Sequence, residues 1–541
     1  MALDLELVEE VLSVAVEQGG FGSDSGRRGN ATEGNFGGDN AEQGNHGNRD
    51  GEEQERTPMN YVPQARNVDD LFSEDQRAAN DYADVVEHDD DVVIENFDGP
   101  VVRMQKWEEV ELEPQLLTNI KERSKYGRPR KIQGATIPFI LDKFDIKAQA
   151  ETGSGKTAAF VVPIIDCCMR AKSGKGEELF ESEMATPYAI IIGPTRELVM
   201  QVFEQAEKFA AGTGVSVAKA YGQYNIGRNH HEIRAGCDIL VATPGRLKHF
   251  IKGGEIRVNK LKFLVLDEAD RLLDDSFSLD IMEIVNVTGF PDKNNRQTLL
   301  FSATFPNQVM HAADQLLRPK AVFITNHRNN PNKRIKQDFV VSGGQGKLDK
   351  LTEILTAEAE KVGGSDKMRR TLVFVNTKRM SDMAALYLSQ HDIPATSING
   401  DRGQHLREQA LAEFRSHKVA VLCATDVCAR GIDVKELDHV INMEVPSDAI
   451  TYVHRIGRCG RIAQGYSTTF IEGHEPVLNE IAAMMRESSE EIPEVLKSAL
   501  DQNGGGAAAP AFGQSFAAPS NFANNVPSSG EAAAPSATED W

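Results

Sequence analysis

The sequence is short of the residues that extracellular and membrane proteins rely on. Of 541 residues, six are cysteine and two are tryptophan. Cys167, Cys168, Cys237, Cys423, Cys428 and Cys459 form no Cys-x-x-Cys pair, and none stands beside histidines at ligand spacing. Neither a zinc site nor a disulfide framework is expected. No stretch approaches the roughly 18 consecutive apolar residues of a transmembrane helix, so no membrane span is expected. The first residues, MALDLELVEEVLSVAVEQ, are acidic and lack the basic start of a signal peptide. There Leu5, Val8, Leu12 and Ala15 share one helical face, which fits a frayed terminal helix or a short partner-binding helix. These absences predict an intracellular, soluble chain.

Positive charge is also scarce. Lys and Arg number 59 against 81 Asp and Glu, a formal net charge of -22. That balance would disfavour an anionic partner if it were uniform. It is not uniform: residues 1–100 hold 25 acidic and 6 basic side chains, and residues 501–541 hold 4 acidic and none basic. Residues 101–500 are left with 53 basic and 52 acidic side chains. The acidity belongs to the ends and says little about what the middle binds.

Those ends are also poor in apolar residues. Residues 19–60 are rich in Gly, Asn, Asp and Glu, and residues 503–538 in Gly, Ala, Ser, Pro and Asn. Such composition cannot offset ordering entropy, so residues 1–90 and 496–541 are expected to be disordered tails. Their scattered Phe and Arg fit weak multivalent contacts or simple solubilisation.

What the middle has is alternation. Short β-branched runs, among them YAIIIG (188–193), DILVAT (238–243), FLVLDE (263–268), TLLFSA (298–303), TLVFVN (371–376), VAVLCA (419–424) and HVINME (439–444), end in small or polar loops followed by helical stretches. Near-continuous apolar strands alternating with helices predict α/β domains with parallel sheets covered on both faces. The polar segment 326–337 reads as a linker between domains at 91–325 and 338–495.

Ala150–Thr157, AETGSGKT, follows a strand-like FDIKAQ and precedes a helical AAFVVPII. In that setting it is a phosphate-binding loop: glycines let backbone N–H groups close on phosphate oxygens, Lys156 reaches the β/γ-phosphates, and the Thr157 hydroxyl suits Mg²⁺. Asp267 and Glu268 end the strand FLVL. Alone, the pair fits an acidic helix cap as well as a catalytic site. With a phosphate loop upstream, Asp267 suits the Mg²⁺ shell and Glu268 suits deprotonating an attacking water. Ser302-Ala303-Thr304 ends the next strand, as hydrogen-bonding partners of the carboxylate loop or as a simple hydroxyl-capped turn. Val453–Arg461, VHRIGRCGR, crowds three arginines together. Nothing in its own half of the chain supplies an anion for them. Arg458 and Arg461, three apart, would share one side and Arg455 would point elsewhere, toward a domain interface.

AETGSGKT, PTREL, TPGR, DEAD, SAT, ATDVCARGID and HRIGRCGR, in this order, resemble the motif series of the DEAD-box RNA helicases over residues 105–490, most like the Vasa group. The resemblance implies two RecA-like domains that close on ATP, Mg²⁺ and RNA. It implies nucleotide contacts from Ala150, Glu151, Thr152, Gly153, Ser154, Gly155, Lys156, Thr157, Gln133 on the adenine edge and Tyr126 stacked on its ring, with Trp107 as the upstream aromatic. It implies a second-domain contact from Asp433, arginine fingers at Arg458 and Arg461, and coupling through His454, Asp270, Ser302 and Thr304. RNA contacts would come from Pro194, Thr195, Arg196, Gly222, Thr243, Gly245 and Arg246, and from Gln404, Arg407, Thr425 and Gly431. Small residues and loop amides hold a backbone without reading sequence, and the 2′-hydroxyl favours RNA. Arg130, Lys131, Gln223, Asn399 and Cys459 depart from the family's usual residues. The resemblance further implies cytoplasmic, perinuclear or germ-granule localisation, with small-RNA pathway proteins and translation factors as partners. An ATP-gated RNA clamp or granule scaffold is the alternative to an unwinding enzyme; no segment resembles the extra domain of a DNA helicase.

Overall fold

The computed structural model describes residues 61–502, except 64–65, 90, 152, 177, 275, 326–333, 343–345, 427–436, 461–463 and 488–489. The expectations for the N-terminal helix, the outermost tails, Thr152, Gly431, Asp433 and Arg461 lie outside these residues.

The first sheet contains β1 (Val93–Glu95), β2 (Ile146–Gln149), β3 (Ala189–Ile192), β4 (Val217–Ala220), β5 (Ile239–Ala242), β6 (Phe263–Asp267), β7 (Gln297–Ser302) and β8 (Val322–Thr325). Their spatial order is β1-β8-β2-β7-β6-β3-β5-β4. All pairs are parallel except β1 with β8, where Val93 lies opposite Thr325. The second sheet contains β9 (Ile335–Val341), β10 (Thr371–Val375), β11 (Ala395–Ile398), β12 (Val421–Thr425), β13 (His439–Asn442) and β14 (Gly465–Ile471), in the order β11-β12-β10-β13-β14-β9, all parallel.

The seven apolar runs singled out above are strands in these sheets, and successive residues feed opposite faces. Ala189 and Ile191 enter one hydrophobic core and Ile190 and Ile192 another. In the second domain Leu372 and Phe374 face one core, Val373 and Val375 the other. A strand buried on both sides has no solvent face to mark with polar residues, which is why these runs do not alternate. Parallelism also sends every strand's carboxyl end to one edge. Ala150, Pro194–Arg196, Thr243, Asp267–Glu268 and Ser302–Thr304 all follow or end strands of the first sheet, so distant segments converge there.

The helices used below are α1 (Val68–Arg77), α2 (Ala79–Glu87), α3 (Lys131–Leu141), α4 (Lys156–Lys172), α5 (Arg196–Ala210), α6 (Gln404–Arg415), α7 (Ala449–Ile456) and α8 (Glu494–Gln502). Side-chain oxygens cap several of them: Asn67 accepts from Asp69 N, Thr195 from Leu198 N, and Asp448 from Thr451 N. No helix among the described residues is long and apolar enough to cross a membrane.

Three expected boundaries are corrected. The N-terminal tail does not extend to residue 90, because α1 buries Leu71 and Phe72 and is pinned to α5 by an ion pair between Asp75 and Lys208. A charged sequence can fold when its few apolar residues fall on one side and its acids find partners. The C-terminal tail does not start at 496: α8 buries Leu496, Ala499 and Leu500 in the second domain's core. The linker does not reach 337, since β9 begins at Ile335 and pairs with β14.

Candidate functional site

The phosphate loop joins β2 to α4. Gly153 and Gly155 hold φ angles of 84° and 92°, the left-handed region that glycine enters without penalty. A Cβ on Gly155 would also come within 2.5 Å of Gln133 Nε2. Gln133 is fully engaged in shaping this corner. Its Nε2 donates to Gly155 O at 3.1 Å, and its Oε1 accepts from Arg130 N at 2.9 Å, capping α3. Lys156 Nζ donates to the carbonyls of Ala150 and Glu151 within its own loop. Burial lowers the Lys156 ammonium from its ordinary range, against the pull of Asp267, Asp270 and Glu268. Ala150 N donates to Ser302 O, tying the loop to the end of β7. Thr157 stands in the first turn of α4.

Asp267 ends β6 in a buried position, and burial pushes its carboxyl up to about 7, opposed by Lys156. A carboxylate oxygen at a strand end is the type of ligand a hard cation takes, and Lys156 is not one. Glu268 adopts a left-handed backbone (φ 54°, ψ 53°), unusual for a non-glycine residue. Its Oε2 is buried with no hydrogen-bond partner among the described residues, and burial raises its pKa. An orphaned carboxylate oxygen on a strained backbone marks a group held for something other than stability. Asp270 Oδ2 accepts from the Thr304 hydroxyl at 2.8 Å, and Ser302 Oγ accepts from Asp270 N at 3.3 Å. The Ser-Ala-Thr turn is thus bonded to the carboxylate loop.

The second domain reaches this site. The Arg458 charge acts on both Lys156 and Glu268. Arg458 is buried, with Nε donating to His454 O at 3.0 Å. His454 is held neutral by burial, opposed by Asp270, and its Nε2 has no hydrogen-bond partner among the described residues. Arg455 goes elsewhere, as expected, but not to a domain interface. It is 1% exposed inside the second domain, where it donates to both Asp426 oxygens, to Glu444 O and to Asn376 Oδ1. Those residues follow β12, β13 and β10, so Arg455 is a post joining three strand ends. Cys459 is buried, its thiol donating to Ile456 O and Tyr466 O.

A second group of predicted residues meets on another part of the cleft. Arg196 Nη1 donates to Gln404 Oε1 at 3.1 Å, and Arg407 pairs with Glu197 at 2.6 Å. Gln223 sits at φ 64°, where glycine was expected, and its Oε1 accepts from Gln404 N at 3.2 Å. The backbone strain of that substitution accompanies a contact between domains. Gly222 lies against Arg196, and Arg246 Nη2 donates to Tyr224 O. Pro194 and Thr243 follow β3 and β5, Gly245 lies in the first turn of the helix Pro244–Lys252, and Thr425 ends β12. Asn399 bonds Ser381 and Asp382 inside the second domain.

Tyr61, Tyr82, Asp89, Tyr221 and Glu408 gave no sign in the sequence. Glu197 is visible only as the Glu of PTREL. Tyr61 and Glu408 are linked across 347 residues, with Tyr221 also donating to Glu408. Arg130, unusual at its position, donates through Nε and Nη2 to Asp89 and through Nη1 to Gly153 O. Trp107 is fully buried and its Nε1 donates to Tyr126 O at 2.8 Å, a packing role. The Tyr126 ring, expected beneath a base, is stacked on Tyr82 with centroids 4.4 Å apart and planes at 8°.

Both domains match known proteins. Residues 130–312 match the DEAD/DEAH box helicase model and residues 346–463 the helicase conserved C-terminal domain, together more than half of the chain. The chain is 36% identical over 468 residues to ATP-dependent RNA helicase glh-3 of Caenorhabditis elegans, covering 82% of this chain and 63% of that protein. It is 40% identical over 383 residues to the probable ATP-dependent RNA helicase DDX4 of Homo sapiens, covering 70% and 51%. The chain therefore spans about half to two thirds of the length of these relatives. Among solved structures, Dbp5 of S. cerevisiae bound to RNA and ADP BeF3 aligns with a TM-score of 0.61 at 26% identity, covering 74% of this chain and 100% of that one. Mss116 bound to ssRNA and UDP-BeF aligns at 0.62 and 25%, covering 73% and 81%.

Proposed function

The chain belongs to the DEAD/DEAH box helicase family, and on that premise we propose that it is an RNA-dependent ATPase that unwinds short duplexes or remodels RNA–protein complexes. The observation that carries this reading is that the charge of Arg458 acts on Lys156 and Glu268 of the other domain. The catalytic set is complete only when the domains are together.

The roles follow from position. The amides of Gly153–Thr157 and the Lys156 ammonium bind the triphosphate of ATP. Thr157 and Asp267 would hold Mg²⁺, which when bound supplies positive charge between the phosphate oxygens. The orphaned Glu268 carboxylate orients the attacking water and takes its proton. Arg458, with Arg461 as its expected companion, lays positive charge on the oxygens where negative charge accumulates. His454 feels the charge of Asp270, whose bond to Thr304 links the carboxylate loop to the end of β7. RNA would bind along the other group of loops, where Arg196 and Glu197 face Gln404 and Arg407. A strand bridging both halves favours the arrangement in which Arg458 reaches the phosphates, so hydrolysis follows RNA. Likeness to the Vasa group extends the proposal to a role in germline RNA granules.

The test is steady-state ATP hydrolysis with RNA, with DNA and without nucleic acid. Stimulation by RNA alone is expected; equal rates in all three would sink the reading. Glu268→Gln is expected to retain ATP and RNA while losing turnover, giving a long-lived RNA complex in a filter or polarisation assay.

A further inference from the structure

The segment ahead of the first sheet is docked in two unequal parts. Helix α1 is anchored: Leu71, Phe72 and Asp75 are buried, and the Asp75–Lys208 pair is enclosed at 2.6 Å. Helix α2 contributes one buried residue, Val85. What holds α2 is concentrated at the nucleotide corner. The Tyr82 ring lies flat on Tyr126, and its hydroxyl donates to Arg128 O at 3.0 Å. Just beyond the helix, Asp89 accepts from Arg130 Nε and Nη2 at 2.8 and 2.6 Å and from Lys131 N at 2.8 Å. Asp84 also approaches Arg334 at 3.4 Å. Arg130 in turn donates to Gly153 O in the phosphate loop. Parallel rings at 4.4 Å are in contact and admit no third ring between them. One face of Tyr126 is therefore covered by an aromatic side chain of the same protein.

We propose that Tyr82 is an intramolecular stand-in for the nucleobase, and that α2 is a gate which must swing off Tyr126, on the anchored α1, before a nucleotide seats its base. The proposal rests on the nucleotide reading of the site given above. It assigns Arg130 and Asp89 as the latch of that gate, which accounts for an arginine at a position where the family usually has a hydroxyl residue. A part of the chain with so few buried contacts opens at low cost compared with the core. The apparent affinity for any base-containing ligand is reduced by the fraction of molecules in which the gate is shut, whereas a ligand made only of phosphates is indifferent to it.

The experiment is calorimetric binding of Mg·ADP and of Mg·tripolyphosphate to the full chain. Tyr82→Ala is expected to tighten ADP by roughly two- to tenfold, the range set by one aromatic stack, and to leave tripolyphosphate unchanged. Tyr82→Phe, which keeps the stack, is expected to match wild type. Amide hydrogen exchange over residues 79–89 is expected to accelerate with ADP and not with tripolyphosphate. Unchanged ADP affinity in Tyr82→Ala overturns the gate. Weaker ADP binding overturns it in favour of Tyr82 as a wall of the base site. If wild type and Tyr82→Ala bind neither ligand, the nucleotide reading falls and the gate with it; normal tripolyphosphate binding in both separates failure of the gate from failure of that reading.

Discussion

At the scale of the residue, the cluster around Arg458 shows how similar side chains take unrelated jobs. Arg455 and Arg458 are three residues apart, yet one is locked among strand ends and the charge of the other acts on the phosphate loop's lysine. Arg458→Ala is expected to lower turnover roughly a thousandfold or more while RNA binding persists, because it removes charge needed only as the phosphate bond breaks. Cys459→Thr is expected to change turnover by a few-fold at most. The Cys459 thiol is spent on backbone carbonyls in the core, not on the cleft. Single-turnover hydrolysis of the two variants checks the ranking, and the reverse order would mean that the wrong residue has been given the phosphate.

At the scale of the element, α1 shows how an acidic stretch becomes part of a domain. Lys208 in α5 and Asp75 in α1 are both enclosed, at 0% and 1% side-chain exposure. Removing one partner strands a buried charge, so Lys208→Met is expected to cost about 3–5 kcal/mol and to expose α1 to proteolysis. Replacing both, with Lys208→Met and Asp75→Leu, is expected to recover most of that loss in urea denaturation, since two apolar groups leave no charge to solvate. Strands were easier to read than this. Their apolar runs are long enough to name from sequence, whereas α1 carries a few apolar residues among many acids, and its place depends on a lysine over 130 positions away.

At the scale of the whole molecule, one buried histidine is expected to make the second domain sensitive to acid. His439 opens β13 in the second domain, buried beside Glu358 and Arg369, with its Nε2 against the Thr468 hydroxyl. Burial, with the Arg369 charge, pulls its pKa down to about 4 from 6.5. A histidine held neutral contributes stability that is complete above pH 6.5 and is lost as pH falls through 4, up to about 3 kcal/mol. Calorimetric melts between pH 7 and 4 are expected to show the second domain weakening, and His439→Gln is expected to flatten that dependence. The sequence by itself determined the two α/β domains, the phosphate loop, the paired carboxylates and the arginine cluster. Each of these is a local pattern, a short run with its own periodicity or chemistry. Only the tertiary structure decided that Arg455 is locked among three strand ends of its own domain, that Glu197 answers Arg407, and that Tyr82 covers Tyr126. Those outcomes depend on which distant segments the sheets bring to one edge, and side chains dozens or hundreds of residues apart leave no shared pattern in a single sequence.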